Sequence, residues 1–222
     1  MNNFFKILKS QKFKCTFILI ILFFLYILIS AYSYVYSVSY NLCDSVFRLH
    51  VIANSDSDED QLLKYKIRDN LTQYMNDLCK NCKSKNEIIE FSQNNINEFK
   101  KIAKETIISE GFNYEVNVKI GNFLFPTKTY GDISFPSGFY DALKVEIGNA
   151  NGKNWWCMLY PSLCFVDMTS GIVPDESKEN LKNSLSDEEY NLVSDSASNR
   201  SLSFKFKLIE LFNNASFITA RK

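Results

Sequence analysis

The sequence is poor in the residues and motifs on which most catalytic and cofactor sites depend. Its 222 residues include a single histidine, His50, so any His-dependent catalysis must use that residue, and no histidine cluster is available for zinc. It contains no Gly-x-Ser-x-Gly motif and no cofactor-binding fingerprint. The 25 basic and 25 acidic side chains cancel to a formal net charge of +0, which argues against nucleic-acid binding. We therefore expect no catalytic residue, cofactor, metal or small-molecule ligand.

What the sequence does have is a long apolar run near its start. Residues 15–31 carry no charge, and about 17 residues is the short end of a membrane span and slightly more than a signal-peptide core. The run follows four lysines, Lys6, Lys9, Lys12 and Lys14, and the next charged residue after it is Asp44. Because positive charge stays on the cytoplasmic side, we predict a basic cytoplasmic region over residues 1–14 and an extracytoplasmic location for everything beyond the run.

The sequence leaves two fates open for this apolar segment. Residues 15–33 form either a signal peptide or a transmembrane anchor. Small residues around Ser33 fit a cleavage site, whereas the tyrosines between positions 32 and 40 fit the interfacial belt of a retained helix. Residues 34–45 are expected to form a linker to the exported domain.

The exported domain, predicted over residues 46–167, alternates between the periodicities of strands and helices. Two amphipathic helical patterns separate the first two of the strand patterns, which cover residues 46–52, 114–120, 143–147 and 155–160. Residues 121–138 are expected to form a loop, and residues 148–154 a hairpin connection. This order predicts an α+β fold with a mostly antiparallel sheet and two long amphipathic helices, preceded by the N-terminal hydrophobic helix.

Capping residues predict where the helices begin and end. Ser57, with Asp60 three residues later, is typical of a helix N-terminus, and this first helix should end near Cys79. Gly111 stands where a left-handed C-cap would close the second helix. Residues 168–222 are predicted to form a polar excursion and a C-terminal segment, 203–212, that docks on the core. Ser186 and Glu189 should open a short helix within the excursion.

The cysteines allow more than one interpretation. The pair Cys79 and Cys82 forms a C-x-x-C motif at a helix end, without a second cluster or histidines for zinc. In an exported domain this pair could be oxidised, or a disulfide could join Cys157 to Cys164. Alternatively, the thiol of Cys157 or Cys164 could act as a nucleophile if His50 lay within hydrogen-bonding distance.

Three blocks of the sequence, taken together, resemble one protein family. They are RLHVIANSDSDED at residues 48–60, PTKTYG at 126–131 with PSG at 136–138, and NWWCMLYPSLCFVD at 154–167. Their order and spacing resemble the stage II sporulation protein R family of endospore-forming bacteria. The likeness covers roughly residues 46–167, which is most of the predicted exported domain.

This resemblance implies a function that the residue chemistry alone does not give. Proteins of the family are made in the forespore and exported into the space between the two septal membranes. There they act on a membrane-embedded protease of the mother cell, which then cleaves the sigma-E precursor. The resemblance therefore implies that this chain is a signalling protein and not an enzyme, either secreted after cleavage or anchored through residues 15–33.

A receptor-binding protein needs an exposed contact surface, and the sequence suggests where it lies. The alternation in the first strand places Arg48 and His50 on its outer, solvent-facing side, so that the strand is half-buried. The predicted contact residues are Arg48, His50, Asn54, Asp56, Lys128, Tyr130, Trp155 and Trp156. The competing classes are an extracytoplasmic thiol-type hydrolase and a structural, membrane-tethered envelope domain.

Overall fold

The computed structural model describes residues 11–79, 82, 84–161, 173 and 175–195. The chain divides into two compact units, Met1–Val38 and Ser39–Lys222. Its elements, in chain order, are α1 Gln11–Ser45, β1 Phe47–Ile52, α2 Asp58–Leu78, α3 Lys85–Asn94, α4 Ile96–Ser109, β2 Val116–Phe125, β3 Lys128–Tyr130, β4 Ile133–Phe135, β5 Gly138–Ile147, β6 Asn154–Tyr160, α5 Asp175–Ser184 and α6 Asp187–Asp195.

The first unit consists of the N-terminal hydrophobic helix, as predicted. Within α1, residues Phe13–Ser30 are long and apolar enough to cross a membrane, with a mean hydropathy of 2.5. This helix does not stop at residue 33 but continues to Ser45. Residues 34–45, predicted to be a linker, are therefore helical. Leu42 and Cys43 are buried in the second unit, so the folded domain begins earlier than residue 46.

The second unit is built on a four-stranded sheet with strand order β2-β5-β1-β6. The β2–β5 and β1–β6 pairs are antiparallel, and the β1–β5 pair is parallel, which confirms an α+β fold with a mostly antiparallel sheet. The prediction of a hairpin at residues 148–154 is wrong, because β1 lies between β5 and β6. The segment instead crosses the end of β1, where the Gly152 amide donates to the Ala53 carbonyl at 2.9 Å.

Helices α2, α3 and α4 cover one face of this sheet. As predicted, the Ser57 side chain caps α2 by accepting a hydrogen bond from the Asp60 amide, and Gly111 has a positive φ of 84°. The predicted second helix is two helices, since Asn95 interrupts it and its side chain donates to the Phe91 carbonyl at 2.8 Å. The buried core between helices and sheet includes Leu49, Val51, Leu63, Ile67, Phe99, Ala103, Ile107, Val118, Leu143 and Val145.

A second hydrophobic core lies on the opposite face of the sheet. The predicted loop at residues 121–138 is instead the end of β2 followed by the short β3–β4 hairpin. Ser186 and Glu189 cap α6 reciprocally, as predicted, whereas residues 203–212 lie outside the described residues. The second core includes Leu42, Val46, Phe125, Ile133, Phe135, Tyr140, Ala142, Met158, Leu181 and Val193.

Candidate functional site

The candidate site is the face of the sheet that points away from α2, α3 and α4. Side chains at paired positions of neighbouring strands point to the same side, so Arg48, His50 and Ile52 each belong to a row that crosses the sheet. The row of Arg48 lies within the second core, and we call this part of the face the covered half. The next two rows form what we call the open half: Lys119, Lys144, His50 and Trp156, followed by Asn117, Glu146, Ile52 and Asn154.

Arg48 is the centre of the covered half, and it is fully buried. Its Nη2 donates a hydrogen bond to Tyr130 Oη at 2.7 Å. The guanidinium carbon lies 4.2 Å from the ring centroid of Phe125 and 4.6 Å from that of Tyr140. Nε and Nη1 have no hydrogen-bond partner in the described part of the chain. The aromatic faces therefore supply part of the electrostatic stabilisation that water would give this cation.

The other polar groups of the covered half are satisfied internally. Tyr130 Oη also donates to the Trp156 carbonyl at 3.1 Å, and Tyr140 Oη donates to the Pro136 carbonyl at 2.7 Å. Burial raises the pKa of the Cys43 thiol to about 11. Because the thiolate is the nucleophilic form, Cys43 is unreactive at neutral pH. The polar groups of the covered half therefore form a scaffold, because they bind one another and the backbone of their own chain.

His50 lies at the boundary between the two halves. Its ring stacks on Trp156 with centroids 3.6 Å apart, and Nε2 is 2.7 Å from Asn154 Oδ1. Burial, together with the nearby ammonium of Lys144, lowers the pKa of His50 to about 4, although the hydrogen bond with Asn154 opposes this shift. The imidazole is therefore neutral at physiological pH, so that Nε2 donates to Asn154 and Nδ1 carries no proton.

The open half is polar and reached by solvent. Glu146 is its electrostatic centre, because its carboxylate lies 2.7 Å from Lys144 Nζ and 3.3 Å from Lys119 Nζ. The same carboxylate accepts a hydrogen bond from the Asn117 side chain at 3.0 Å. The hydrogen bond from Lys144 lowers the pKa of Glu146. With the Lys119 side chain 55% exposed, these groups can exchange their hydrogen bonds with those of another protein.

Asn54 and Asp56, which follow β1, bind the segment between β5 and β6 at one end of the open half, and we call this set of contacts the clasp. Asn54 donates to Asp60 at 2.8 Å and accepts from the Asn149 amide at 3.0 Å. Asp56 accepts from the Lys153 amide at 2.7 Å. The β5–β6 segment is thereby fixed to the β1–α2 turn. Asn54 and Asp56, two predicted contact residues, thus hold backbone in place, although the Asp56 side chain remains exposed.

Two glycines allow the clasp to close. A Cβ at Gly152 would lie 2.1 Å from the Ser55 carbonyl oxygen, and one at Gly148 would lie 2.3 Å from Asn54 Oδ1. Gly148 also has a φ of 55°, in the left-handed region that other residues rarely adopt. The loop therefore requires glycine at both positions.

The adjacent tryptophans point to opposite faces of β6, as alternation requires. Trp156 belongs to the open half, whereas Trp155 faces the helices, where the Arg68 guanidinium lies 4.3 Å from its ring centroid and the Tyr65 ring packs edge-on. Each tryptophan is thus covered in part by groups of its own chain.

Lys128, another of the predicted contact residues, is the first residue of the β3–β4 hairpin and is half-buried.

The predicted contact residues do not form one surface. The expectation that Arg48 and His50 face solvent is wrong, because they are 0% and 6% exposed. Tyr130 is buried with them. The polar group on the same face that solvent reaches was missed: Asn117 and Lys119 are exposed, and Lys144 and Glu146 are half-buried. Strand alternation indicates that these residues face outward, but only the pairing of β5 with both β2 and β1 brings them into the rows of His50 and Ile52.

The structure also bears on the thiol-enzyme alternative. Cys157 pairs with Leu49 across the β1–β6 ladder, so its side chain points to the helix-covered face, opposite to that of His50. Cys157 is moreover disulfide-bonded. A catalytic pair of His50 with Cys157 is therefore excluded. Cys164 lies outside the described residues, and its pairing with Cys157 stays a prediction.

Comparison with known proteins places these features in a family. The profile of the family described as stage II sporulation protein R matches residues 43–170. Stage II sporulation protein R of Bacillus subtilis (strain 168) is 41% identical over 141 residues, which is 63% of this chain and 63% of that protein. The match therefore covers less than two thirds of that relative. No solved structure matches. The matched range contains the whole four-stranded sheet, both halves of its outer face and the clasp.

Proposed function

This chain belongs to the stage II sporulation protein R family, and on that premise we propose that it is an exported signalling protein of sporulation. It is made in the forespore and acts in the space between the two septal membranes. There it activates a membrane-embedded protease of the mother cell, which then processes the sigma-E precursor. Its role is that of a protein ligand without a catalytic step of its own.

The N-terminal helix supports the location in this proposal. An apolar helix at Phe13–Ser30, preceded by lysines and followed by no charge until Asp44, is compatible with export or membrane anchoring of the chain. The second unit then lies outside the cytoplasm, in the compartment where it can meet a protein of the opposing membrane.

The open half is the observation that carries the proposed binding function. It combines a half-buried aromatic side chain, Trp156, and the exposed Asn154 at one edge of the sheet with the exposed Asn117 and Lys119 at the other edge of the same two rows. An aromatic residue surrounded by polar groups is typical of the energetically important part of a protein interface. The covered half and the clasp hold these residues on a rigid sheet, so little conformational entropy is lost on binding.

Binding alone does not activate a receptor. A ligand shifts a conformational equilibrium only by the difference between its affinities for the two states. The proposed activation therefore requires that the open half bind the active conformation of the protease more tightly than the inactive one. Substitutions in the open half should reduce activation and binding together.

The experiment that tests this function is reconstitution. The membrane-embedded protease and the sigma-E precursor are co-expressed in a non-sporulating host, with and without the full-length chain exported from the same cells. We expect precursor cleavage only when the chain is present. Cleavage that is equal with and without the chain would contradict the proposal, and would favour the structural role of a membrane-tethered envelope domain.

A further inference from the structure

Three sulfur atoms gather where α2 ends. Met75 and Cys79 are four residues apart and so lie on the same side of the helix, with Cys79 Sγ 3.7 Å from Met75 Sδ. Cys82 is held close to the end of the helix by its amide, which donates to the Cys79 carbonyl at 3.0 Å. The thiols of Cys79 and Cys82 are close enough to share a hydrogen bond. Both cysteines are free and half-buried.

The surroundings of this cluster favour a positive charge. The C-terminal end of a helix carries partial negative charge, because its last carbonyl groups point outward without partners. Carboxylates of the next helix add to this potential. A surface pocket reaches the cluster at Cys82, and it is lined by Leu78, Cys82, Glu87, Glu90, Phe91 and Asn94.

We propose that Met75, Cys79 and Cys82 form a binding site for a soft monovalent metal ion, with Cu(I) as the ion that fits best. Thiolate and thioether sulfurs are the ligands that select Cu(I). Metal–sulfur bonds of about 2.3 Å place the sulfurs of a trigonal site about 4 Å apart, and the 3.7 Å between Cys79 and Met75 is close to that separation. This inference does not depend on the proposed signalling function.

The donor set argues against zinc. Structural zinc sites use four ligands from cysteine, histidine and carboxylates. The described residues contain no group of three or more such side chains placed to hold a metal ion. The one histidine of the chain, His50, belongs to the outer face of the sheet. Two thiolates and one thioether, without a fourth ligand, suit the low coordination number of Cu(I).

The position of the motif also argues against a redox catalyst. Catalytic C-x-x-C motifs have a lowered thiol pKa, an effect that a helix N-terminus favours. Here the motif follows a helix C-terminus, with Cys79 as the C-cap residue. The partial negative charge of that helix end disfavours a thiolate nucleophile, whereas it favours a bound cation.

On binding, the metal ion replaces the protons of two thiol groups. Cys79 and Cys82 each lose one proton from sulfur and form one metal–sulfur bond, while Met75 donates a sulfur lone pair without losing a proton. One Cu(I) therefore enters as two protons leave, and no electron is transferred. Consequently the affinity should rise with pH.

The test is an anaerobic competition titration of the full-length chain in detergent micelles. Cu(I), kept reduced by ascorbate, is partitioned between the protein and the coloured chelator bicinchoninate. We expect one Cu(I) per chain. Cys79→Ser and Cys82→Ser should each weaken binding at least about 100-fold, because even loss of an outer-shell partner costs about 10–100-fold in metal affinity. Met75→Leu, which keeps the packing of the buried side chain, should weaken it about 10-fold or more.

The control is Cys15→Ser, because Cys15 is a free, exposed thiol far along the chain from the cluster. This variant should bind Cu(I) like the parent chain, and thermal melting should verify that every variant is folded. The proposal is overturned if the Cys79→Ser/Cys82→Ser double variant retains the affinity. It is also overturned if Cys15→Ser loses it, or if the same site binds Zn(II) more tightly than Cu(I) in parallel titrations.

Discussion

The covered and open halves are adjacent parts of the same sheet face, yet their polar side chains have different roles. Arg48 and His50 are two residues apart on β1 and point the same way. Arg48 lies between the rings of Phe125 and Tyr140, whereas His50 belongs to the same row as the exposed Lys119. A polar residue on this face is therefore a scaffold or a potential contact according to what the rest of the chain packs over it.

A loss-of-function screen would not distinguish a loss of stability from a loss of receptor activation, whereas substitutions in the two halves should. A substitution in the covered half removes a buried group and should act on the free energy of unfolding. A substitution of an exposed residue of the open half, such as Lys119 or Asn117, should act on receptor activation with little effect on stability.

Substitution of Arg48 should give the largest loss of stability. Arg48→Ala leaves a cavity between two rings and removes the donor to Tyr130, which should cost about 3–5 kcal/mol. Arg48→Met fills much of the same volume without a charge, and replacing buried charge by apolar volume is often nearly neutral. Urea denaturation of the full-length chain in micelles measures both. Equal losses for the two variants would show that the cation itself, and not its volume, holds the covered half together.

Substitution of Gly152 tests whether the clasp is part of the rigid frame of the open half. Gly152→Ala places a methyl group 2.1 Å from the Ser55 carbonyl oxygen, so the loop must move, at an expected cost of about 2–3 kcal/mol. The matched control is Gly111→Ala, since Gly111 has a φ of 84° but nothing within 4 Å of the added atom, and about 1 kcal/mol is expected there. Thermal unfolding should rank the two variants in this order; the reverse order would contradict the role of the clasp.

The pH dependence of stability should report the burial of neutral His50. The pKa of His50 is about 4 in the folded chain and 6.5 as the ordinary value. Between these two values only the unfolded chain binds the proton, so stability falls as the pH falls from about 6.5 to about 4. The contribution is about 3 kcal/mol at most. His50→Gln should remove it, which flattens the stability profile in this window; an unchanged profile would place His50 in contact with solvent.

The smallest change in stability, and the largest in activation, is expected for Lys119→Glu. The half-exposed ion pair of Lys119 with Glu146 is worth about 1 kcal/mol or less, so the free energy of unfolding should change little. Lys100→Glu on α4 is the matched control, because Lys100 is exposed on the helix-covered side. In the reconstituted system Lys119→Glu should reduce precursor cleavage and Lys100→Glu should not. Loss of cleavage with both variants would point to a general effect of charge.

Much of the fold could be predicted from local patterns. The cap at Ser57, the C-cap at Gly111 and the reciprocal cap of α6 depend on neighbouring residues only, and each was predicted correctly. The parallel pairing of β1 with β5 was not, because the pairing joins residues far apart in sequence and leaves no local signal. The hairpin expected at residues 148–154 failed for the same reason: β1, from an earlier part of the chain, lies between the two strands.

The candidate site was predictable only in part. Alternation correctly placed Arg48 and His50 on the same face, but arginine is rarely fully buried, and the rings that stabilise Arg48 come from positions 125 and 140. The polar group around Lys119 was missed because its members come from two strands, β2 and β5, whose pairing joins residues far apart in sequence. Sequence blocks identified the family without showing which of their residues are exposed.

The most direct test of the open half as the receptor contact is site-specific photo-crosslinking. A photoreactive amino acid replaces Asn117 in the open half of one chain and Lys100 on α4 of another, both of which are exposed positions. Each chain is exported in cells that contain the membrane-embedded protease and is irradiated. We expect an adduct with the protease from position 117 and none from position 100. An adduct from position 100, with none from position 117, would contradict the open half as the receptor contact.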